Sequence, residues 1–379
     1  MQKNLHLLFI IAIIFASCNS APKNYATGLK VYKNFDSTRK FDTTSSEKAP
    51  FYYRPVKIDL FYPSPDNSGK RALTYGDILD MYEQRMNYNN SLDSCRKVSN
   101  MLAKSVAEYL HVDSPAKILA YETGIYSDIA FPQGKYPLIV YAAGMNGSSW
   151  ENEILFDSLT KAGYVVAAVS SVGIYPGYMS SPMDLNEQVQ DILYAKNTIR
   201  QLPFVDADNI GLLSWSLGGS AIAKVAMLST DFKCMVSFDG TEIHHYKVDT
   251  GWDKEFDQLL KIPPANPASI KIPYMYLSSE HPKSDSFYIF PDHIGSTEKY
   301  FLQFNGGTHE DFSSIISVVK NADPRMGDLD HGRNRIVCEL TVKFFNQYLK
   351  QKDSGSMNSY IRRLVAERPK DFKTQYPGK

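Results

Sequence analysis

From residue 136 onward the chain alternates two kinds of segment, and this alternation limits its fold more than any other feature. Apolar runs too short to be helices recur: "YPLIVYAAG" at 136–144, "YVVAAVS" at 164–170, "NIGLLSW" at 209–215, "KCMVSFD" at 233–239, "IPYMYLSS" at 272–279 and "KYFLQF" at 299–304. Between and after them lie segments with apolar residues at helical spacing, such as "ENEILFDSLTKAG" at 151–163 and "LNEQVQDILYAKNTIRQL" at 185–202. "LGGSAIAKVAMLS" at 217–229 and "GRNRIVCELTVKFFNQYLK" at 332–350 complete the set. A strand that is apolar throughout must be buried on both faces. Strands of that kind separated by helices predict a mostly parallel sheet with helices on both faces, an α/β fold.

The remainder of the chain reads differently. "RPVKIDLFYPS" at 54–64 alternates Val56, Ile58 and Leu60 with polar neighbours, the pattern of a half-buried strand. Two segments with helical spacing follow, "TYGDILDMYEQRM" and "VSNMLAKSVAEYL", and predict a helical insertion at about 74–111. It could cover one end of the sheet or shape a cleft. At the N-terminus, Lys3 precedes the apolar run "LLFIIAIIF", which is short for a membrane span and ends in "FASC". This end resembles a bacterial lipobox, which implies a signal peptide at 1–17, cleavage before Cys18 and lipidation of Cys18, hence a cell-envelope protein held on a membrane by acyl chains. An ordinary secretory peptide is the alternative.

Residues 18–50, rich in Ser, Thr, Lys and Asn, are expected to be a flexible tether to a single domain at 51–350. The charged stretch 351–379 is expected to be a C-terminal tail. Lys and Arg balance Asp and Glu at 41 each, so no global field favours nucleic acid. Cys95, Cys234 and Cys338 form no disulfide framework and are expected to be buried thiols.

One junction in the alternating region carries chemistry. In "GLLSWSLGG" a strand turns sharply into a helix, and the backbone there needs small residues two before and two after the central one. Ser214 and Gly218 meet that need, which lifts the Ser216 hydroxyl above the sheet at a helix N-terminus. A serine merely capping a helix would look similar. A nucleophilic serine needs a base, and the base needs a carboxylate to orient it. His309 follows a late strand in "YFLQFNGGTHEDFS", where Gly306 and Gly307 let the loop turn back. Asp239 closes the strand after the serine's helix, at the sheet end where Ser216 sits. Glu280 and Asp285, after the next strand, are rival acids. A tetrahedral oxyanion needs fixed donors, and the Leu217 and Met145 amides are the candidates. Met145 lies in "AAGMNGSS", after the strand that starts at 136.

With those residues placed, the chain resembles an α/β-hydrolase, and more narrowly the dienelactone hydrolase and platelet-activating-factor acetylhydrolase-like group of bacterial esterases. The likeness spans about 54–350 and rests on "VKIDLFYPS", "YPLIVYAAGMNG", "LLSWSLGGS", "VSFDG" and "GGTHEDF", in that order. The group often has His-Gly where this chain has Ala143-Gly144, and Gly where it has Ser214. The dienelactone branch uses a cysteine nucleophile where this chain has Ser216, so a dienelactone substrate is not expected. In the acetylhydrolase-like branch the acid follows the strand after the elbow helix, which matches Asp239.

The resemblance implies a serine carboxylic ester hydrolase that acts on a small or medium acyl ester. Ser216, His309 and Asp239 would form its triad, and no cofactor or metal is expected. A binding lipoprotein that keeps the fold without catalysis, and a peptidase of the same fold, are the alternatives. Trp150, Trp215, Tyr175, Tyr178 and Trp252 lie near predicted strand-end loops and could line a cleft, and 241–297 could form a lid.

Overall fold

A computed structural model describes residues 24–245, 257–280, 287–288, 290–323, 331–351 and 356–376. Ten strands form its main sheet: β1 (Ala26–Lys40), β2 (Tyr53–Ser64), β3 (Ile125–Ser127), β4 (Tyr136–Ala142), β5 (Val165–Val169), β6 (Val205–Trp215), β7 (Phe232–Phe238), β8 (Tyr274–Ser278), β9 (Lys299–Phe304) and β10 (Phe372–Tyr376). Their order is β10-β9-β8-β7-β6-β4-β5-β2-β1-β3. From β5 to β9 every neighbouring pair is parallel. β2 runs antiparallel to β5, β1 to β2, and β10 to β9. All C-terminal ends of the parallel block open on one side of the molecule, here called the crown. The opposite side is the base.

Strand residues alternate between two cores, as the pleat requires. Leu138, Val140 and Ala142 share a buried cluster with Leu185, Val189 and Ile192 of α5 (Pro182–Ile199) and Ala221, Ile222 and Val225 of α6 (Gly218–Leu228). Ile139 and Tyr141 face the other way. There they pack with Leu155, Phe156 and Leu159 of α4 (Glu153–Lys161) and Leu340, Phe344 and Phe345 of α8 (His331–Leu349). Helices thus cover both faces of a mostly parallel sheet. The insertion forms α1 (Tyr75–Asp80), α2 (Leu92–Tyr109) and α3 (Pro115–Ala120). It packs on Ile315, Val318 and Val319 of α7 (Ile315–Ala322) and on Trp150, at the crown. Cys95, Cys234 and Cys338 are buried free thiols.

Two expected boundaries need correction. The stretch assigned to a flexible tether at 18–50 contains β1, a 15-residue strand paired with β2 from Ala26↔Ser64 to Asp36↔Arg54. Leu29 is buried in the core, and charge pairing fastens the more polar C-terminal end of the strand. Arg39 bonds Asp36, Glu187 and Asp191, at 2.8, 2.8 and 2.6 Å, and the buried Arg54 bonds Asp191 at 2.6 Å. The stretch assigned to a charged tail at 351–379 also joins the fold. In α9 (Met357–Glu367), Met357, Ile361 and Leu364 share one stripe against the core, and β10 then pairs with β9 from Phe304↔Phe372 to Phe301↔Tyr376.

Candidate active site

Ser216 sits between β6 and α6 with φ 57°, a left-handed conformation that costs a non-glycine residue roughly 1–2 kcal/mol. Three backbone hydrogen bonds hold it there. The Ser216 amide donates to the Phe238 carbonyl at 2.9 Å, and its own carbonyl accepts from Gly219 at 3.0 Å and Thr241 at 3.2 Å. The small neighbours have visible reasons. A Cβ at Gly218 would strike the Ala142 and Ala143 carbonyls, and one at Gly144 would lie 3.3 Å from Ser216 Cβ. Ser214 is fully buried, and its hydroxyl donates to Ser237 Oγ on β7 at 3.2 Å. That contact uses the hydroxyl that a glycine would lack.

Asp239 ends β7 with φ 44° and is 7% exposed. Its carboxylate accepts from the Ser279 amide at 3.0 Å and from the Ser279 hydroxyl at 2.9 Å. His309, after β9, places Nδ1 at 2.6 Å from Asp239 Oδ2. A carboxylate so placed fixes which ring nitrogen carries the proton and leaves Nε2 as the basic atom. Trp215, the residue before Ser216, stacks on the His309 ring with centroids 4.8 Å apart and 25° between planes. Its indole Nε1 donates to the His309 carbonyl at 3.2 Å.

Of the rival acids, Glu280 is engaged elsewhere. Its carboxylate accepts from the Gly306 amide, and its own amide donates to the Gly307 carbonyl at 3.0 Å. It braces the glycine turn that carries His309. Asp285 and Trp252 lie outside the described residues.

Leu217 follows Ser216 at the start of α6, and Met145 follows Gly144, the β4-loop residue whose Cβ position would lie 3.3 Å from Ser216 Cβ. Among the described residues no protein group accepts a hydrogen bond from the amide of either Leu217 or Met145. The β4 loop is braced from three sides. Tyr82 of the insertion donates to the Asn146 carbonyl at 2.7 Å, and Asn146 Oδ1 accepts from the Met179 amide at 2.8 Å. From below, buried Glu151 accepts from the Gly144 amide at 3.1 Å and from Tyr141 Oη at 2.9 Å. Burial pushes the Glu151 carboxyl up to about 8, so near neutral pH it is largely protonated. Burial likewise pushes Glu242, which accepts from Tyr274 Oη at 2.7 Å, up to about 7. A Cβ at Gly219 or Gly240 would overlap the Glu242 carboxyl, so both glycines make room for it.

The structure therefore brings Asp239 and His309 into direct contact and sets Ser216 beside them on the strained elbow. Sequence reading did not find Ser279, Glu151 or the stacking duty of Trp215. Ser279 and Trp215 have their partners in other strands and loops, and Glu151 has its partners seven and ten residues back, at a spacing that marks no motif. Among the described residues no cluster of three or more His, Cys, Asp and Glu is disposed to hold a metal ion, and no helix is long and apolar enough to cross a membrane.

No family model and no curated protein matches the chain. Solved structures do. A ferulic acid esterase from Streptomyces cinnamoneus superposes with a TM-score of 0.65 at 18% identity, covering 94% of this chain and 98% of that one. DcsB in complex with its substrate analogue covers 57% of this chain and 92% of its own, at a TM-score of 0.42 and 15% identity. The architecture and the first of these likenesses establish an α/β-hydrolase-like fold.

Proposed function

We propose that the protein is a serine carboxylic ester hydrolase, of the general kind of the dienelactone hydrolase and acetylhydrolase-like esterases. The observation that carries this reading is the 2.6 Å contact between His309 Nδ1 and Asp239 beside a serine held at φ 57°. Ser216 Oγ attacks the acyl carbon, and His309 Nε2 takes its proton. The negative charge on the tetrahedral oxygen is met by the Met145 and Leu217 amides. His309 then gives the proton to the departing alcohol, leaving an acyl-Ser216. Water attacks that acyl group by the same steps, with His309 again as base. Asp239 stays ionised and stabilises the imidazolium that forms twice in each cycle.

The substrate is a small or medium acyl ester. The likeness to a ferulic acid esterase supports including aromatic acyl esters among the first substrates tested. Cys18 carries the lipid that holds the protein on a membrane of the cell envelope, the reading supported by the short apolar run ending in "FASC".

A fluorophosphonate probe tests the chemistry. It should label the protein covalently, and Ser216→Ala should lose both labelling and at least about 10³-fold of the turnover of p-nitrophenyl acetate and feruloyl esters. Labelling that survives Ser216→Ala means another nucleophile. An active panel limited to peptides means a peptidase.

A further inference from the structure

The described chain begins at the base of the sheet, on the side away from Ser216. Register establishes this. Ala26 pairs with Ser64 at the end of β2. β2 meets β5 with Phe61 opposite Val166, so Ser64 lies below the start of β5. Tyr25 Oη lies 3.1 Å from Tyr136 Oη, at the first residue of β4. Ser216, Asp239 and His309 instead follow the C-terminal ends of β6, β7 and β9. At about 3.3 Å per residue, β4 alone separates base from crown by roughly 23 Å.

Asn24 follows Cys18 by six residues, which span at most about 20 Å even fully extended. A compact body of roughly 350 residues has a radius of gyration of about 20 Å and is therefore about 50 Å across. An anchor at Cys18 lets such a body stand on its base or lie on its side, but the link is too short for it to invert. Lying on its side still leaves Ser216 about half a body width, roughly 25 Å, from the lipid.

The base also has the chemistry of a surface that rests on lipid. An open groove of about 520 Å³ there is lined by Asn24, Tyr25, Pro65, Phe131, Pro132 and Tyr136. Phe131 is 45% exposed although it stacks on Phe204 at 4.9 Å. Tyrosines with an apolar ring and a polar tip suit the headgroup layer.

We infer that the basal groove lies on the bilayer that holds Cys18 and that the active site faces away from it. Esters within that same bilayer are then out of reach. The substrate class is an ester that is soluble or carried on a polymer outside the membrane. This inference rests on the lipid anchor proposed above.

Energy transfer in vesicles carrying the full lipidated protein tests it. Because Cys95, Cys234 and Cys338 are buried, a maleimide donor goes to one introduced cysteine. Phe131→Cys and Lys135→Cys report the base, and Tyr178→Cys, at an exposed position in the loop after β5, reports the crown. With acceptor-labelled headgroups, both basal donors should be quenched several-fold more than the crown donor. Two basal positions guard against one variant failing to fold. Equal quenching, or stronger quenching at the crown, overturns the inference, as does a parent protein that does not stay on the vesicles. None of these results touches the ester chemistry, which soluble p-nitrophenyl acetate reports separately. In the same vesicles, an acetyl ester displayed on a lipid headgroup by a spacer longer than the body should be hydrolysed at least tenfold faster than one on a short spacer. Equal rates for the two count against the inference.

Discussion

The indole of Trp215 places two restraints on His309, a face-on stack and a hydrogen bond to its carbonyl. A stacked aromatic pair contributes about 0.5–1.5 kcal/mol and a hydrogen bond about 1 kcal/mol. In Trp215→Phe a ring remains but the donor is lost, so kcat on a soluble ester should fall about fivefold. In Trp215→Ala both go, and the fall should be about 30-fold, with KM little changed. A drop in melting temperature with kcat intact would show that Trp215 only fills space. The neighbouring acid is tested in the same assay. Asp239→Asn keeps the shape but loses the charge that sets the tautomer, so kcat should fall by up to about 10⁴-fold. Glu280→Gln keeps an acceptor for the Gly306 amide and should stay within about tenfold of the parent. The reverse pattern would move the acid to the β8 loop.

β1 and β2 are fastened to α5 by charges as well as by apolar packing, in which Val56, Ile58 and Leu60 share a core cluster with Leu185, Val189 and Ile192. Asp191 receives both Arg39 and the buried Arg54, and Arg54 also donates to the Val172 carbonyl at 2.5 Å. Asp191→Ala would leave a buried guanidinium without its carboxylate, at a cost of about 3–5 kcal/mol. Urea unfolding should show that loss, and a midpoint within error of the parent would mean that the network is idle. The same network explains which elements the sequence disclosed. The parallel strands β4 to β9 were readable because each is a continuous apolar run, a signal carried within the segment itself. β1 reads "ATGLKVYKNFDSTRK", whose polar side chains find partners far along the chain, Thr27 on Asp157 of α4, Lys30 on Asp128, and Arg39 on Glu187 and Asp191 of α5. β10 is a five-residue edge strand paired on one side only, with too few residues to show a pattern of its own. The site divides in the same way. The elbow and the late histidine are local patterns, and Asp239 ends a readable strand. The contact of Ser279 with Asp239 joins separate loops, and that of Glu151 with the Gly144 amide closes the β4 loop on itself at a spacing that marks no motif.

Three buried carboxyls give the whole molecule a stability that depends on pH. Burial pushes Glu151 and Glu153 up to about 8 and Glu242 up to about 7, from an ordinary 4.5. Between those limits the folded state holds protons that the unfolded chain has released. Stability from these groups is therefore complete below about pH 4.5 and is lost as pH rises through 7 to 8, by at most about 1.4 kcal/mol per group per pH unit. Other groups act in the opposite sense at lower pH. Asp184 is held below its ordinary value by the Ile174, Ser180 and Ser181 amides and the Ser181 hydroxyl, against the opposing effect of burial. Asp231 is held down by Lys196. Their contribution is present above about pH 4 and fades as they are protonated. The two trends predict a stability maximum near about pH 5 rather than at neutrality. Urea midpoints should then fall steadily from pH 5 to pH 8 at constant m. Glu151→Gln keeps a carbonyl to accept from the Gly144 amide and cannot ionise. It should match the parent at pH 5, exceed it at pH 8 and flatten the slope by about one proton. Midpoints that stay level or rise between pH 5 and pH 8 in the parent would mean that these carboxyls are ionised in the folded protein, with water or charge reaching the space beneath the β4 loop.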